Sequence, residues 1–174
     1  MFPLTRRRAL LAALLAAPAA AGAQEMPSFA EAAGRRLVLN GVGLRRYFGL
    51  QVYRAALYLE TPSRDAAVIL ASPGPKLLRL HYLRDISRSQ LVGGWEDGFR
   101  DYCGCAMPDA FRARLRDIRE GEQETWLFLP ERTEIGYAAE PPVRVDGSTG
   151  RRMLSSFIGP DTQSAGLRRG LLGG

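Results

Sequence analysis

The chain has 174 residues, of which 46% are hydrophobic and 24% are charged, and its formal net charge is +6. The arginines are dispersed along the chain rather than clustered on one element with aromatic residues between them, which argues against a nucleic-acid-binding protein.

The first 23 residues have the pattern of a signal peptide. Three arginines at 6–8 precede an apolar run at 9–17, and Ala21-Gly22-Ala23 supplies the small residues of a cleavage site. The apolar run is too short to span a bilayer, which takes about 20 residues. We therefore exclude this segment from the fold and expect the mature protein to begin at Gln24.

Removal of the leader also removes three arginines, so the formal net charge falls from +6 to +3. The remaining chain, 24–174, is expected to form one domain that buries about two-thirds of its surface. We expect a periplasmic or secreted protein that leaves the cytoplasm by the general secretory route, with twin-arginine export as the alternative. The mature chain contains no segment that could span a membrane.

Hydrophobic periodicity and turn residues predict the secondary structure of this domain. In the first half we expect a short helix or irregular arm at 26–36, strands at 37–40 and 44–60 (the second bent, or split in two near Gly49), a helix at 64–71 capped by Ser63, and a strand at 76–84. In the second half we expect helices from Asp85 or Ser87 to 102 and at 107–120, strands at 125–129, 133–137 and 143–145, and helices at 150–158 and 163–172. Strands outnumber helices, so the predicted class is α+β, with a mainly antiparallel sheet covered on one side by helices.

Residues 41–60 are the most informative segment. Gly41 and Gly43 indicate a turn or a close approach of another chain segment, and an apolar, aromatic run follows. Arg45 stands where that run begins. A guanidinium at the mouth of an apolar sheet can hold a carboxylate or another oxyanion, or it can simply pair with a structural acid.

This segment resembles the chalcone isomerase-like family, in its secreted bacterial branch. The matching residues are Gly41, Gly43, Arg45, Phe48, Val52, Tyr53 and the run 55–59. Three later segments, 76–87, 117–130 and 167–173, are similar to further parts of the family in the same order, so the resemblance covers about residues 37–173. It implies an open-faced sandwich in which flat or long apolar ligands bind between the sheet and the helices.

The resemblance also assigns a role to Arg45. The fatty-acid-binding members of the family hold a carboxylate with an arginine at this position, and the true isomerases use it on the developing oxyanion of the substrate. Two departures argue against isomerase activity. Tyr53 stands where the isomerases have a threonine, and the segment Ser87–Leu91 lacks the tyrosine that they place at the start of the next helix.

Other residues that could carry chemistry give weaker signals. Tyr82 and His81 point to opposite faces of the strand at 76–84, and either could line a cleft, although Tyr82 also fits the sheet core. Trp95, Trp126 and Phe128 fit either helix–sheet packing or the walls of such a cleft. Because His81 is the only histidine, a histidine metal site is excluded, and no nucleotide loop, serine elbow or zinc signature occurs. We therefore predict no cofactor and no metal.

Cys103 and Cys105 are close enough in sequence to form a disulfide in an oxidising compartment. The pair is either a local clip on a loop, two free thiols or a redox site. No C-x-x-C motif occurs, and nothing else in the sequence resembles a thiol oxidoreductase.

We expect a non-catalytic binder of a small amphipathic acid such as a fatty acid, with Arg45, Tyr53 and Tyr82 as ligand-binding residues. An intramolecular lyase acting on a flavonoid-like substrate is the alternative enzyme. A periplasmic interaction module without a ligand cleft is the third hypothesis.

Overall fold

The computed structural model of the protein describes residues 26–137, 140–162 and 164–174. The predicted signal peptide, its cleavage site and the expected mature N-terminus at Gln24 therefore lie outside the described residues. No helix in the described part of the chain is long and apolar enough to cross a membrane.

Seven antiparallel strands form one sheet, in which each strand pairs with its neighbours in the sequence. They are β1 (Phe29–Ala32), β2 (Arg35–Tyr47), β3 (Leu50–Leu59), β4 (Lys76–Tyr82), β5 (Gln123–Phe128), β6 (Arg132–Tyr137) and β7 (Val143–Asp146). The helices are α1 (Ala66–Ala71), α2 (Arg88–Gly98), which continues into a π-helical turn at Phe99–Cys103, α3 (Asp109–Arg114), α4 (Gly147–Ile158) and α5 (Ala165–Leu171).

The two faces of the sheet differ in what covers them. On one face, inward side chains such as Leu78, Leu80 and Trp126 pack against residues from all five helices and form the main core. On the other face a smaller apolar cluster contains strand residues, among them Leu37 and Tyr58, with Met26 at its edge. The helices therefore cover one side of an antiparallel sheet, and the predicted α+β class and open-faced sandwich are confirmed.

Trp126 occupies the centre of the main core. Its ring centroid lies 4.9 Å from that of Trp95 on α2, 5.5 Å from Phe111 on α3 and 5.9 Å from Phe157 on α4. One strand residue thus contacts aromatic side chains from three helices, in tilted or edge-on arrangements that suit aromatic pairs. Trp95 and Trp126 join the helix layer to the sheet.

Helix α5 lies directly on β2 at the glycines that the sequence singles out. A Cβ atom on Gly43 would collide with the carbonyl oxygen of Leu167, and one on Gly170 would lie 2.6 Å from the Gly43 Cα. Gly41 meets α5 in the same way, at the carbonyl oxygen of Gly170. The close approach predicted for Gly41 and Gly43 is therefore present, whereas a turn at these residues is not, because β2 runs through them without ending.

A bulge in β2 anchors the C-terminal end of α5. The register shifts between Leu39 and Gly41, and the intervening Asn40 donates its side-chain amide to the Leu171 carbonyl at 2.8 Å. The side-chain oxygen Oδ1 of Asn40 accepts a hydrogen bond from the Ser63 backbone N–H at 2.7 Å. Asn40 thereby ties the C-terminal end of α5 to the connection between β3 and α1.

The prediction of a helix or irregular arm at 26–36 is wrong. Residues 29–32 form β1, and Ala33 and Gly34, both with positive φ, turn the chain directly into β2. Ala30 and Leu37 from the two strands are buried in the smaller cluster, so tertiary packing decides the conformation of a segment without a clear period. For residues 44–60 the sequence leaves open one bent strand or two strands split near Gly49. The second alternative is correct, because the segment contains parts of β2 and β3 joined by a turn at Phe48 and Gly49.

The helix predicted at 107–120 is shorter than expected. Only Asp109–Arg114 is helical, because Ile118 instead exchanges two backbone hydrogen bonds with Ile86, at 2.9 and 3.0 Å. Gly121 does not end a helix. It adopts φ +88° in a turn and donates its N–H to the Tyr82 carbonyl at 2.9 Å.

The predicted N-cap of α1 is also wrong. Asn40 holds Ser63 outside the helix, and the Asp65 carboxylate accepts hydrogen bonds from the N–H groups of Ala67 and Val68. Between the two candidates for α2, Ser87 is the N-cap, and it forms a capping box with Gln90.

Candidate functional site

The structure places the three residues predicted to bind ligand in one row. Arg45 on β2 is the register partner of Tyr53 on β3, and Tyr53 is the register partner of Tyr82 on β4. Directly opposed residues of an antiparallel sheet share a face, and here it is the helix-covered one. The rings of Tyr53 and Tyr82 meet edge to face, with centroids 5.9 Å apart. We call Arg45, Tyr53 and Tyr82 the polar row.

Local sequence explains how Arg45 reaches this position. Gly41, Gly43 and Arg45 alternate on the face of β2 that α5 covers, because successive strand residues point to opposite sides. The two glycines accept the helix backbone, with Gly41 facing Gly170 and Gly43 facing Leu167. Arg45, two residues further, lies towards the N-terminal turn of α5, where its side chain is half-buried. The spacing therefore puts a cation at the edge of the helix-covered layer.

Sequence reasoning missed Glu124, which extends the polar row. Its side chain is 1% exposed on β5, and it accepts a hydrogen bond from the Tyr82 hydroxyl at 2.6 Å and another from the Trp126 indole N–H at 2.9 Å. Burial raises the pKa of this carboxyl to about 7, and the two hydrogen bonds partly oppose that increase. The sequence does contain a signal for it. Every second residue of a strand points to the same face, so Glu124 shares a face with the apolar residues Trp126 and Phe128.

The phenols of the row stay protonated at neutral pH. Burial raises the pKa of Tyr53, and the nearby Arg45 charge only partly opposes this shift. Burial and the neighbouring Glu124 raise the pKa of Tyr82 as well. Tyr82 donates its single hydroxyl proton to Glu124, so towards a ligand its oxygen can act only as a hydrogen-bond acceptor.

Tyr137 stands across from Glu124 as its register partner on β6. Its buried hydroxyl has no hydrogen-bond partner among the described residues, and its ring packs 4.5 Å from the Arg116 guanidinium carbon. A buried donor without a partner is costly in a folded protein. Together with the polar row, it gives the helix-covered face an unusual concentration of buried hydroxyl groups.

Two cavities described by the structure lie elsewhere. One, of about 10 Å³, lies among Trp95, Trp126 and Phe157 and has room for about one water molecule. The other, of about 150 Å³, is lined by Lys76, Arg151 and apolar residues of α1, α4 and β5. Neither is lined by a residue of the polar row. The tryptophans therefore serve as packing residues rather than as walls of a large cleft.

Lys76 in the larger cavity has a structural role. Its ammonium donates to the carbonyl oxygens of Ser72 at 2.6 Å and Gly74 at 3.0 Å, just after α1 ends. Burial, followed by the charge of Arg151, lowers the pKa of this amine. Lys76 thus satisfies carbonyl groups at the C-terminal end of the helix.

The remaining candidates are separate from the polar row. Cys103 and Cys105 form a disulfide with Cα atoms 5.2 Å apart, at the end of the π-helical turn. His81 is half-buried on the opposite face of the sheet from Tyr82, as its position in β4 predicts. Within the described residues, no group of three or more His, Cys, Asp or Glu side chains could hold a metal ion.

This chain differs from the true isomerases in structure as well as in sequence. Ser87 and Gln90, in the segment where the isomerases place a tyrosine, are engaged with each other in the capping box of α2. No phenol stands at that position. Tyr53, in the place of the isomerase threonine, is buried against Tyr82.

Comparisons with known proteins agree on one fold. A family model described as chalcone isomerase-like matches residues 19–173. The crystal structure of a fatty-acid binding protein from Arabidopsis thaliana superposes with a TM-score of 0.66 at 14% sequence identity, over 84% of this chain and 90% of that chain. No curated protein matches the sequence.

Proposed function

This chain belongs to the chalcone isomerase-like family, and we propose that it is an exported, non-catalytic binder of a small amphipathic acid, with a long-chain fatty acid as the model ligand. The observation that carries the proposal is the polar row, in which Arg45 stands at the edge of the helix-covered layer beside Tyr53 and Tyr82. A guanidinium fork is suited to a carboxylate, and it binds more strongly in a dry site than in water. The plant neighbour, a fatty-acid binding protein of the same fold, supports the choice of ligand.

The ligand would place its carboxylate on Arg45 and its chain along the apolar, helix-covered face. Ala55 and Leu57 follow Tyr53 on this face of β3 and are fully buried. Because buried core side chains fill the space between this face of the sheet and the helices, we expect the acyl chain to displace some of them or part of the helix layer. We therefore expect binding to be accompanied by a rearrangement of the helices.

The arrangement of hydrogen-bond donors around the polar row supports a binding protein rather than an enzyme. The Tyr82 proton is held by Glu124, and no phenol replaces the tyrosine that the isomerases carry at the start of the helix after β4. An intramolecular lyase needs a fixed set of donors around the developing oxyanion. If folded protein accelerates loss of chalcone absorbance above the uncatalysed rate, the lyase alternative replaces the binder.

The experiment is a titration of delipidated protein with palmitate, read by calorimetry. Arg45→Ala removes a charged hydrogen bond that contributes about 1.5–3 kcal/mol, so we expect the Kd to rise about 10- to 100-fold. Arg54→Ala is the matched control, because Arg54 is the register partner of Leu44 and points to the opposite face of the sheet. Equal affinity of wild type and Arg45→Ala would refute the carboxylate site.

The second candidate is a periplasmic interaction module without a ligand cleft. It is favoured by the filled core on the helix-covered face, and the larger of the two cavities named above has a volume of about 150 Å³. A cavity of that size holds a benzene-sized molecule rather than a long acyl chain. Wild-type protein that binds no palmitate, while remaining folded, would favour this module.

Export is part of the proposal and is supported by two features. The basic, apolar and small-residue regions of the first 23 residues have the order of a signal peptide. The disulfide between Cys103 and Cys105 suits an oxidising compartment such as the periplasm.

A further inference from the structure

The hairpin that joins β2 to β3 ends in an unusual turn. Tyr47 and Leu50 are the last register pair, and Phe48 and Gly49 connect them with φ angles of +46° and +80°. Two residues of positive φ between paired strands form the mirror-image turn that favours Asn-Gly, Asp-Gly or Gly-Gly. A bulky aromatic residue at the first of these positions is an outlier. The backbone of Phe48 is therefore strained, and the strain needs an explanation.

The same turn exposes a cluster of large apolar side chains. Phe48 is 88% exposed, Tyr47 58% and Leu50 54%. The contact of Phe48 with another ring is an edge-on one with its neighbour Tyr47, at 4.6 Å between centroids. Burial in the core does not explain this phenylalanine, because its side chain is almost wholly in solvent. An asparagine would suit both the backbone and the water better.

The exposed tip is flanked by positive charge. Arg46 precedes it, and Arg54 follows on the other strand, opposite Leu44. The chain has no acidic residue between Glu31 and Glu60, so the whole hairpin carries cations alone. The strand that borders β3 adds Arg84, just after β4, and the next acid, Asp85, is already paired with Arg119 at 2.9 Å.

We propose that the β2–β3 tip, residues 46–50, docks this protein on an anionic phospholipid bilayer, with Tyr47, Phe48 and Leu50 entering the interface and Arg46 and Arg54 facing the headgroups. Aromatic side chains favour the membrane–water interface, and arginines near it are attracted to anionic lipids. The favoured occupant is a bilayer rather than a protein, because a stable protein interface buries about 800 Å² on each partner and involves some 20–30 residues. A five-residue tip is too small for that, but it can insert into a lipid surface.

This inference goes beyond the proposed function and does not depend on it. Arg45 belongs to the same hairpin, two residues before Tyr47. Docking through the tip would therefore hold the edge of the polar row next to the lipid surface. An acid that partitions into the bilayer would meet Arg45 without crossing bulk water.

The test is sedimentation of the purified mature protein with vesicles of phosphatidylglycerol and phosphatidylcholine, compared with vesicles of phosphatidylcholine alone. We expect binding to the anionic vesicles that weakens as salt is added. Phe48→Asn should weaken it about tenfold or more, because a buried phenylalanine contributes that much to partitioning. The same variant should be at least as thermally stable as wild type, since asparagine suits positive φ, so a loss of binding cannot be ascribed to unfolding.

Val68→Asn is the matched control. Val68 is another exposed apolar residue, 56% accessible, on α1. It lies beyond the other end of β3, about 30 Å from the tip at the usual rise per strand residue. Its replacement should leave vesicle binding unchanged, whereas Arg46→Gln combined with Arg54→Gln should weaken the preference for anionic vesicles.

A second readout follows insertion directly. Phe48→Trp adds an exposed indole to a protein whose Trp95 and Trp126 are both buried. Its emission should shift to shorter wavelength when anionic vesicles are added. An unchanged spectrum, or undiminished binding by Phe48→Asn, would overturn the proposal. Self-association without lipid that Phe48→Asn abolishes would also overturn it, in favour of a contact between two copies of the chain.

Discussion

Tyr82 donates its hydroxyl proton to Glu124 across 2.6 Å, and both residues are sealed between the sheet and the helices. The second carboxylate oxygen of Glu124 accepts from the Trp126 indole at 2.9 Å. A buried acid with two donors is stable as a network but costly to ionise, because the donors offset only part of the lost hydration. This arrangement fixes the hydroxyl that ends the polar row.

Glu124 makes the stability of the fold depend on pH. Its pKa is about 7 in the folded protein against an ordinary value of 4.5, so between these values the folded state retains a proton that the unfolded state releases. The free energy of unfolding should therefore fall as pH rises from about 5 to 8, by at most roughly 3 kcal/mol.

Glu124→Gln isolates this effect, because the amide accepts from Trp126 and donates to Tyr82 without any charge. In urea unfolding, the stability of the variant should fall less between pH 5 and 8 than that of wild type, by the amount that Glu124 contributes. Subtracting the pH profile of the variant from that of wild type cancels the contributions of the other titratable groups to the free energy of unfolding. Identical pH profiles for both proteins would show that Glu124 keeps an ordinary pKa.

Gly43→Ala should destabilise the fold by about 1–3 kcal/mol or more, because a methyl group there collides with the backbone of α5 at Leu167. Gly166→Ala, on the same helix, is the control. A Cβ at Gly166 meets nothing within 4 Å, and alanine is a better helix former, so we expect equal or higher stability. Thermal unfolding of the two variants tests the contact, and equal effects would contradict it.

Replacing Cys103 and Cys105 together by serine should change stability by much less than the 2–4 kcal/mol typical of longer bridges. The two residues are only two positions apart, so the bridge removes little chain entropy from the unfolded state. Palmitate binding should stay intact, because the bridge lies outside the polar row. A wild-type protein that exchanges thiols with a disulfide substrate, in a manner lost in the double variant, would make the pair a redox site instead.

Exported protein should begin at Gln24. Ala21 and Ala23 are the small residues that a signal peptidase accepts before the cut. Intact-mass measurement of protein from the periplasmic or secreted fraction decides the point. Retention of Met1 on the mature protein would exclude cleavage of the leader.

The sequence predicts the centre of the sheet better than its borders. In β4, Leu78, Leu80 and Tyr82 alternate with charged or polar residues, and the structure places them on one buried face as expected. β1 is not predicted, because a four-residue edge strand has too few positions to show a period. The expected helix at 107–120 fails because the long-range pairing of Ile118 with Ile86 overrides local helical periodicity.

The polar row could also be predicted only in part from the sequence. Arg45, Tyr53 and Tyr82 are selected as separate positions, and only the strand register reveals that they stand side by side. Glu124 escapes notice because it follows Glu120 and Glu122 in a polar stretch, where a glutamate is usually solvated, and its burial depends on the helices that cover β5. The strained turn at Phe48 is equally invisible in the sequence, since a phenylalanine before a glycine gives no sign of a positive φ.

The order of the strands has a consequence for how the chain assembles. Each strand pairs with its sequence neighbour, so the sheet can grow by adding one hairpin after another from the N-terminal side. The contact of α5 with β2 is different, because the hydrogen bond between Asn40 and Leu171 joins residues 131 positions apart and cannot form before α5 is present. Until α5 packs on β2, Gly41 and Gly43 remain uncovered, and so does the part of the sheet that carries Arg45. A chain that stops before α5 would present the seven-stranded sheet without this helix, and that is the form proteases and chaperones would meet.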